Sequence, residues 1–131
     1  MVFIDSNIPM YYTGSEHPNR YQTVITLEKL ISKKTKLVTN TEVLQEILHR
    51  YHCLKNPEGL QNTWDCLYSF IDEVFSVKEK EIAQAKNLLL AYPKVSSRDA
   101  VHAAFMKSRG IKKIFSFDKG FDDIPFIERI S

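Results

Sequence analysis

Short strand-like runs alternate with amphipathic helical stretches along this chain, and that alternation limits its folds more than any other feature. Val2-Phe3-Ile4, Leu37-Val38, Val74-Phe75-Ser76-Val77 and Ile114-Phe115-Ser116-Phe117 are rich in β-branched, aromatic and aliphatic residues. The segments between them repeat apolar residues at helical spacing. Strands joined through helices pair in parallel by right-handed crossovers, and the helices cover both faces of the sheet. The pattern predicts an α/β fold, a three-layer α/β/α sandwich around a mainly parallel sheet of about five strands. Phe126 to Ile130, after Pro125, reads as an edge strand.

The helical segments carry their own punctuation. Asp5-Ser6-Asn7 before Ile8-Pro9 reads as a turn entering a helix, because proline is tolerated in a first turn. Pro18 suits the start of a second helix, striped by Val24, Leu27, Leu30 and Ile31. Thr39-Asn40-Thr41-Glu42 resembles a capping box, followed by a stripe of Val43, Leu44, Ile47, Leu48 and Tyr51 that Asn56-Pro57-Glu58-Gly59 ends. Leu60, Trp64, Leu67, Tyr68 and Ile71 mark a fourth helix. Ile82, Ala85, Leu88, Leu89 and Tyr92 mark a fifth, closed by Pro93. Ser96-Ser97 caps an alanine-rich sixth helix that Gly110 terminates.

A length of 131 residues with 44% hydrophobic content fits one domain over 1–131, with one core. No apolar run approaches the roughly 20 residues of a membrane span, and Asp5 arrives too early for a signal-peptide core. A soluble, cytoplasmic protein with no membrane partner is the expectation. Cys53 and Cys66 read as small buried packing residues. A zinc site built on His49, His52 and Cys53 lacks a second arm to complete four ligands. The net charge of +2 hides two basic clusters, Lys33-Lys34-Lys36 and Lys107 to Lys113. Both fall at the starts of predicted strands and read as solvated faces, though a weakly basic surface also suits a polyanionic partner.

The acids sit where chemistry is expected. Asp5 follows the first strand, Asp118 follows the fourth, and Tyr92-Pro93-Lys94-Val95, read as another strand-like run, shortly precedes Ser97-Arg98-Asp99. The carboxyl ends of parallel strands border the ligand crevice, so acids delivered there are suited to holding a metal. Each has a plainer reading too. Asp5 and Asp118 suit turns, Asp122 and Asp123 suit a loop, and Asp99 suits the first turn of a helix, where the macrodipole favours an anion. Glu42 and Glu46 compete for a fourth place. At about 100° per residue Glu42 falls nearly opposite the apolar stripe and Glu46 near its border. Glu42 also sits three residues after Thr39, in position to cap the helix. Glu46 is the preferred ligand, with Glu42 as the alternative.

Four segments then resemble the PIN-domain ribonucleases, a family that includes the toxins of VapBC toxin–antitoxin modules. They are Phe3-Ile4-Asp5-Ser6-Asn7, Val43-Leu44-Gln45-Glu46-Ile47-Leu48, Arg98-Asp99-Ala100-Val101-His102-Ala103-Ala104 and Ser116-Phe117-Asp118-Lys119-Gly120-Phe121, in an order that spans nearly the whole chain. The resemblance implies an acidic metal site of Asp5, Glu46, Asp99 and Asp118, with Asn7 and Ser116 as polar supports. Arg98 is a second candidate for substrate phosphate, while His102, beside alanines, reads as a packing residue.

Oxygen-only ligands favour Mg²⁺ or Mn²⁺. The expected activity is metal-dependent hydrolysis of RNA phosphodiester bonds without a side-chain nucleophile. Tyr11, Tyr12 and Tyr51 are candidates for stacking bases, against a plainer role in packing. The resemblance also implies a homodimer, to which Leu60, Trp64 and Tyr68 are candidate contributors, and a toxin role would imply a small antitoxin partner. Two rivals remain: a non-catalytic RNA-binding or scaffold domain, and a phosphatase using Asp5 as nucleophile. The phosphatase is disfavoured because Asn7 replaces the second aspartate of an Asp-x-Asp motif.

Overall fold

Val2–Ile4 forms the middle strand, β1, and Phe3 and Ile4 are fully buried, as a strand covered on both faces requires. The computed structural model describes residues 1–131. Two helices, α1 (Asn7–Thr13) and α2 (Arg20–Ser32), lead to β2 (Leu37–Asn40). Next come α3 (Thr41–Cys53), α4 (Pro57–Phe70) and β3 (Glu73–Phe75). The helical hairpin α5 (Glu79–Ala91) and α6 (Ser97–Ser108) precedes β4 (Lys113–Phe115), and a 3-10 helix over Lys119–Asp123 precedes β5 (Glu128–Ile130).

All pairings are parallel and the strand order is β3-β2-β1-β4-β5. The chain moves outward from β1 to β3, then returns across β1 to β4. Right-handed crossovers place α1 to α4 on one face and the α5–α6 hairpin on the other. The helix contacts agree, linking α1 with α2 and α4, α3 with α4, and α5 with α6. The reversal between β1 and β4 makes a topological switch point, and the crevice outside the strand ends lies there.

Several local expectations shift. Tyr92–Val95 is not a strand but the connection from α5 to α6, because Pro93 offers no amide to a ladder. Asp99 therefore reaches the cleft from a helix. The second strand runs on through Thr39 and Asn40, so Thr39 is no cap. Its hydroxyl donates to the Ile4 carbonyl at 2.9 Å, and Asn40 caps α3 by accepting from the Val43 amide at 3.0 Å. Pro57 to Gly59 do not end α3 but open α4, whose cap is Asn56. The third strand lies at Glu73–Phe75, earlier than Val74–Val77. The fourth ends at Phe115 and the fifth begins only at Glu128.

One cluster of 22 buried hydrophobic residues forms the core, with Phe3, Phe105, Phe115 and Phe121 among its largest members. Ile31, Leu48 and Ile82, read as core-facing, are exposed, and so are Cys53 and the dimer candidate Tyr68. Buried polar residues occupy some of the inward positions instead: Thr23 on α2, Thr63 on α4 and Glu81 on α5. The lysine clusters do precede β2 and β4, at the sheet edge away from the acids. No helix is long and apolar enough to cross a membrane.

Candidate active site

A cleft of about 670 Å³ opens at the carboxyl edge of the sheet, and Asp5, Glu46, Asp99 and Asp118 all line it. Each arrives by a different route. Asp5 follows β1 directly, Glu46 lies on the second turn of α3, and Asp99 stands in the first turn of α6, after the Ser96 cap accepts from its amide at 3.2 Å. Asp118 caps the 3-10 helix, its Oδ1 accepting from the Gly120 amide at 2.9 Å. Asp5, Glu46 and Asp99 are buried, whereas Asp118 is exposed at the rim.

Polar neighbours hold the first acid from two sides. The Ser6 amide donates to Asp5 Oδ1 at 2.8 Å, and the Ser116 hydroxyl donates to Oδ2 at 2.5 Å. Ser116 in turn accepts from the Asp118 amide at 3.0 Å and from the Asn7 amide group at 3.3 Å. This fully buried serine thus links the end of β1 to the loop after β4. Glu46 is held through both oxygens, Oε2 by the Ser6 hydroxyl at 2.6 Å and Oε1 by His102 Nε2 at 2.8 Å.

Placed this close, the carboxyls do not ionise alike. Burial pushes Asp5 above its ordinary pKa, with Glu46 adding to the rise and His102 and Ser116 opposing it. Burial, then hydrogen bonding and repulsion from Asp118, push Asp99 up to about 7. Burial would also raise Glu46, but hydrogen bonds from His102 and Ser6 and the positive charges of His102 and Arg98 outweigh it and hold the group below its ordinary value. For His102 burial works downward, yet the Glu46 hydrogen bond and the charges of Asp5, Glu46 and Asp99 leave it raised.

Of the supporting candidates, Asn7 and Arg98 line the cleft and Ser116 stands immediately behind Asp5. Arg98 is exposed and forms no ion pair. Glu42 does not reach the cleft, as its place opposite the apolar stripe implied. Asp122 also lies outside it, pairing through both oxygens with Arg129 at 2.9 and 3.0 Å. Tyr11 and Tyr51 line the cleft, and Tyr11 stacks on His17 with ring centroids 3.9 Å apart. Tyr12 instead lies under the Arg20 guanidinium.

The sequence reading passed over three contributors, Asn40, Ser6 and Gly120, and assigned a fourth, His102, to packing. His102 had a visible signal, since its place three residues after Asp99 puts both on one helix face. For Gly120 there was none. A Cβ there would stand 2.9 Å from Asp99 Oδ2 and 3.1 Å from Asp118 Oδ1, so only glycine lets the two acids sit this close without a shift.

A parallel α/β sheet with acids gathered at its switch point defines the class: an α/β protein with an acidic cleft at the carboxyl edge of its sheet. Residues 2–127 match the PIN domain, and the chain belongs to that family. It is 41% identical to ribonuclease VapC13 of Mycobacterium tuberculosis over 131 residues, all of both chains. Among solved structures, VapC20 of Mycobacterium tuberculosis, a Sarcin-Ricin loop cleaving toxin, superposes with a TM-score of 0.80 at 20% identity, covering 98% of each chain. A toxin–antitoxin complex from Klebsiella pneumoniae superposes at 0.67 and 15% identity, covering 100% of this chain and 97% of that one.

Proposed function

We propose that the chain is a divalent-metal-dependent ribonuclease that hydrolyses RNA phosphodiester bonds in the acidic cleft. The observation that carries this reading is the convergence of Asp5, Glu46, Asp99 and Asp118 from four separate segments into one cleft. Full-length likeness to a VapC ribonuclease supports it. The donor set fits a hard cation. It offers carboxylate oxygens, and no cysteine joins the close group of Asp5, Glu46 and His102. Burial, with repulsion between neighbouring carboxyls, raises Asp5 and Asp99, and a bound cation would favour their charged forms. Asp5, Asp99, Asp118 and Glu46 would hold Mg²⁺ or Mn²⁺. Such an ion supplies Lewis acidity toward a phosphoryl oxygen and a water acidic enough to attack at neutral pH.

The rest falls to the chain's own groups. Arg98, unpaired at the rim, is placed to meet a phosphate of the substrate backbone. The stacked Tyr11 and His17 pair offers an aromatic face to an unstacked base, which single-stranded RNA presents and a duplex does not. Asn7 and Ser116 keep Asp5 turned toward the cleft. A solved toxin–antitoxin complex of this fold supports a toxin role with a small antitoxin partner. Such a toxin would be a cytoplasmic homodimer, with Leu60 and Trp64, both half-buried, and the exposed Tyr68 of α4 as contact residues.

The test is cleavage of a mixed single-stranded RNA panel with Mn²⁺ or Mg²⁺, comparing wild type, Asp99→Asn and an EDTA control. Metal-dependent cutting that is lost in the variant supports the reading. RNA binding without cutting by either protein would replace it with a non-catalytic binding domain.

A further inference from the structure

His102 lies at the centre of a hydrogen-bond chain that the acidic site does not by itself require. Its ring is 1% exposed, packed against Phe3 with centroids 5.1 Å apart and flanked by Phe121. Nε2 stands 2.8 Å from Glu46 Oε1, and Nδ1 stands 3.2 Å from the Asn40 side-chain nitrogen. The Asn40 amide is not free to turn. Its oxygen accepts from the Val43 amide at 3.0 Å as the cap of α3, so its nitrogen must face His102 as a donor. In the neutral ring, a donor facing Nδ1 requires a lone pair there, which leaves the one ring proton on Nε2, aimed at Glu46.

Taking Glu46 as a metal-binding carboxylate, as proposed above, we infer that His102 is its positioning residue, held as the Nε2–H tautomer by the Asn40 cap of α3. Ligand atoms of His102, Asp5 and Glu46 lie within 4.8 Å of one another, a spacing that alone would suit a three-residue metal site. The tautomer argues against His102 as a ligand, because Nε2 carries a proton and Nδ1 is engaged with Asn40. Its single donor holds Oε1 while Ser6 holds Oε2, so both oxygens of Glu46 are oriented before any cation arrives. Groups that orient a ligating carboxylate in this way typically change metal affinity about 10–100-fold when removed.

The test has a spectroscopic arm and a binding arm. Long-range ¹⁵N–¹H NMR of wild type, at a pH high enough that the ring is neutral, is expected to show His102 protonated at Nε2 and bare at Nδ1. Asn40→Ser keeps a capping oxygen for α3 but deletes the donor, and is expected to let Nδ1 take up a proton at higher pH than in wild type, while Glu46 still holds the proton on Nε2. In Mn²⁺ titrations followed by calorimetry, His102→Leu is expected to weaken binding about 10–100-fold. His102→Gln, which retains a donor at the same reach, is expected to stay within about threefold of wild type, with folding of each variant checked by circular dichroism. A proton on Nδ1 in the neutral ring of wild type, or a folded His102→Leu that binds Mn²⁺ as tightly as wild type, would overturn the inference. A wild type that binds no Mn²⁺ would overturn the metal-site reading instead, and the tautomer would still decide the role of His102.

Discussion

Burying Asp99 beside Asp118 sets the ionisation of the cleft against the stability of the fold. Its carboxyl titrates at about 7 rather than the ordinary 3.8. Between those values the folded chain binds the extra proton, so this group's contribution to stability falls as pH rises through the window. Asp99→Asn is therefore expected to raise the melting temperature of the metal-free protein at pH 8 by about 2–5 °C, with a smaller gain at pH 5. A thermal melt in EDTA at both pH values checks this, and a variant that melts lower than wild type at pH 8 would contradict it. Gly120→Ala works on the same pair from outside, since its Cβ would enter at 2.9 Å from Asp99. It should fold normally yet bind Mn²⁺ about tenfold more weakly, as titration calorimetry would record. The four acids were visible as candidates in the sequence, whereas the glycine was not, because its value lies in an approach between side chains 19 positions apart.

Helix ends show how local chemistry becomes legible and where it stops. Ser96 and Gly110 stand where the sequence placed them, and Gly110 adopts φ 68°, which suits a residue without a Cβ, whereas Asn56, read as part of the end of α3, caps α4. Nothing lies within 4 Å of a Cβ added at Gly110, so Gly110→Ala should cost about 1 kcal/mol through backbone conformation alone. Urea denaturation would measure that loss, and an unchanged midpoint would refute it. Asn40 was read one position out, because Thr39 looks equally suited to capping until the β1–β2 pairing claims it for the strand. The Tyr92–Val95 run was misread for a related reason: apolar residues flank Pro93, but no neighbouring strand is available to pair with them.

Across the whole molecule, the cleft is a junction between elements that the sheet brings together. A cation held by Asp5, Glu46, Asp99 and Asp118 would tie β1, α3, α6 and the loop after β4 into one unit. Mn²⁺ at a hundredfold excess over its dissociation constant is expected to stabilise the fold by about 2.7 kcal/mol, and EDTA should reverse it. Thermal melts with and without metal would show this, and no shift in wild type would count against the metal site. The alternation of strand and helix, the order of the acids and most helix ends were determined by the sequence alone, because periodicity, capping and turn chemistry act over a few residues. The sheet order, the exclusion of Glu42 and Asp122 from the cleft, and the meeting of Asn40, His102 and Glu46 were decided only by tertiary structure. Asn40 and His102 are 62 positions apart and His102 and Glu46 are 56, and contacts at that range exist only once the parallel sheet has brought α3 and α6 to the same edge.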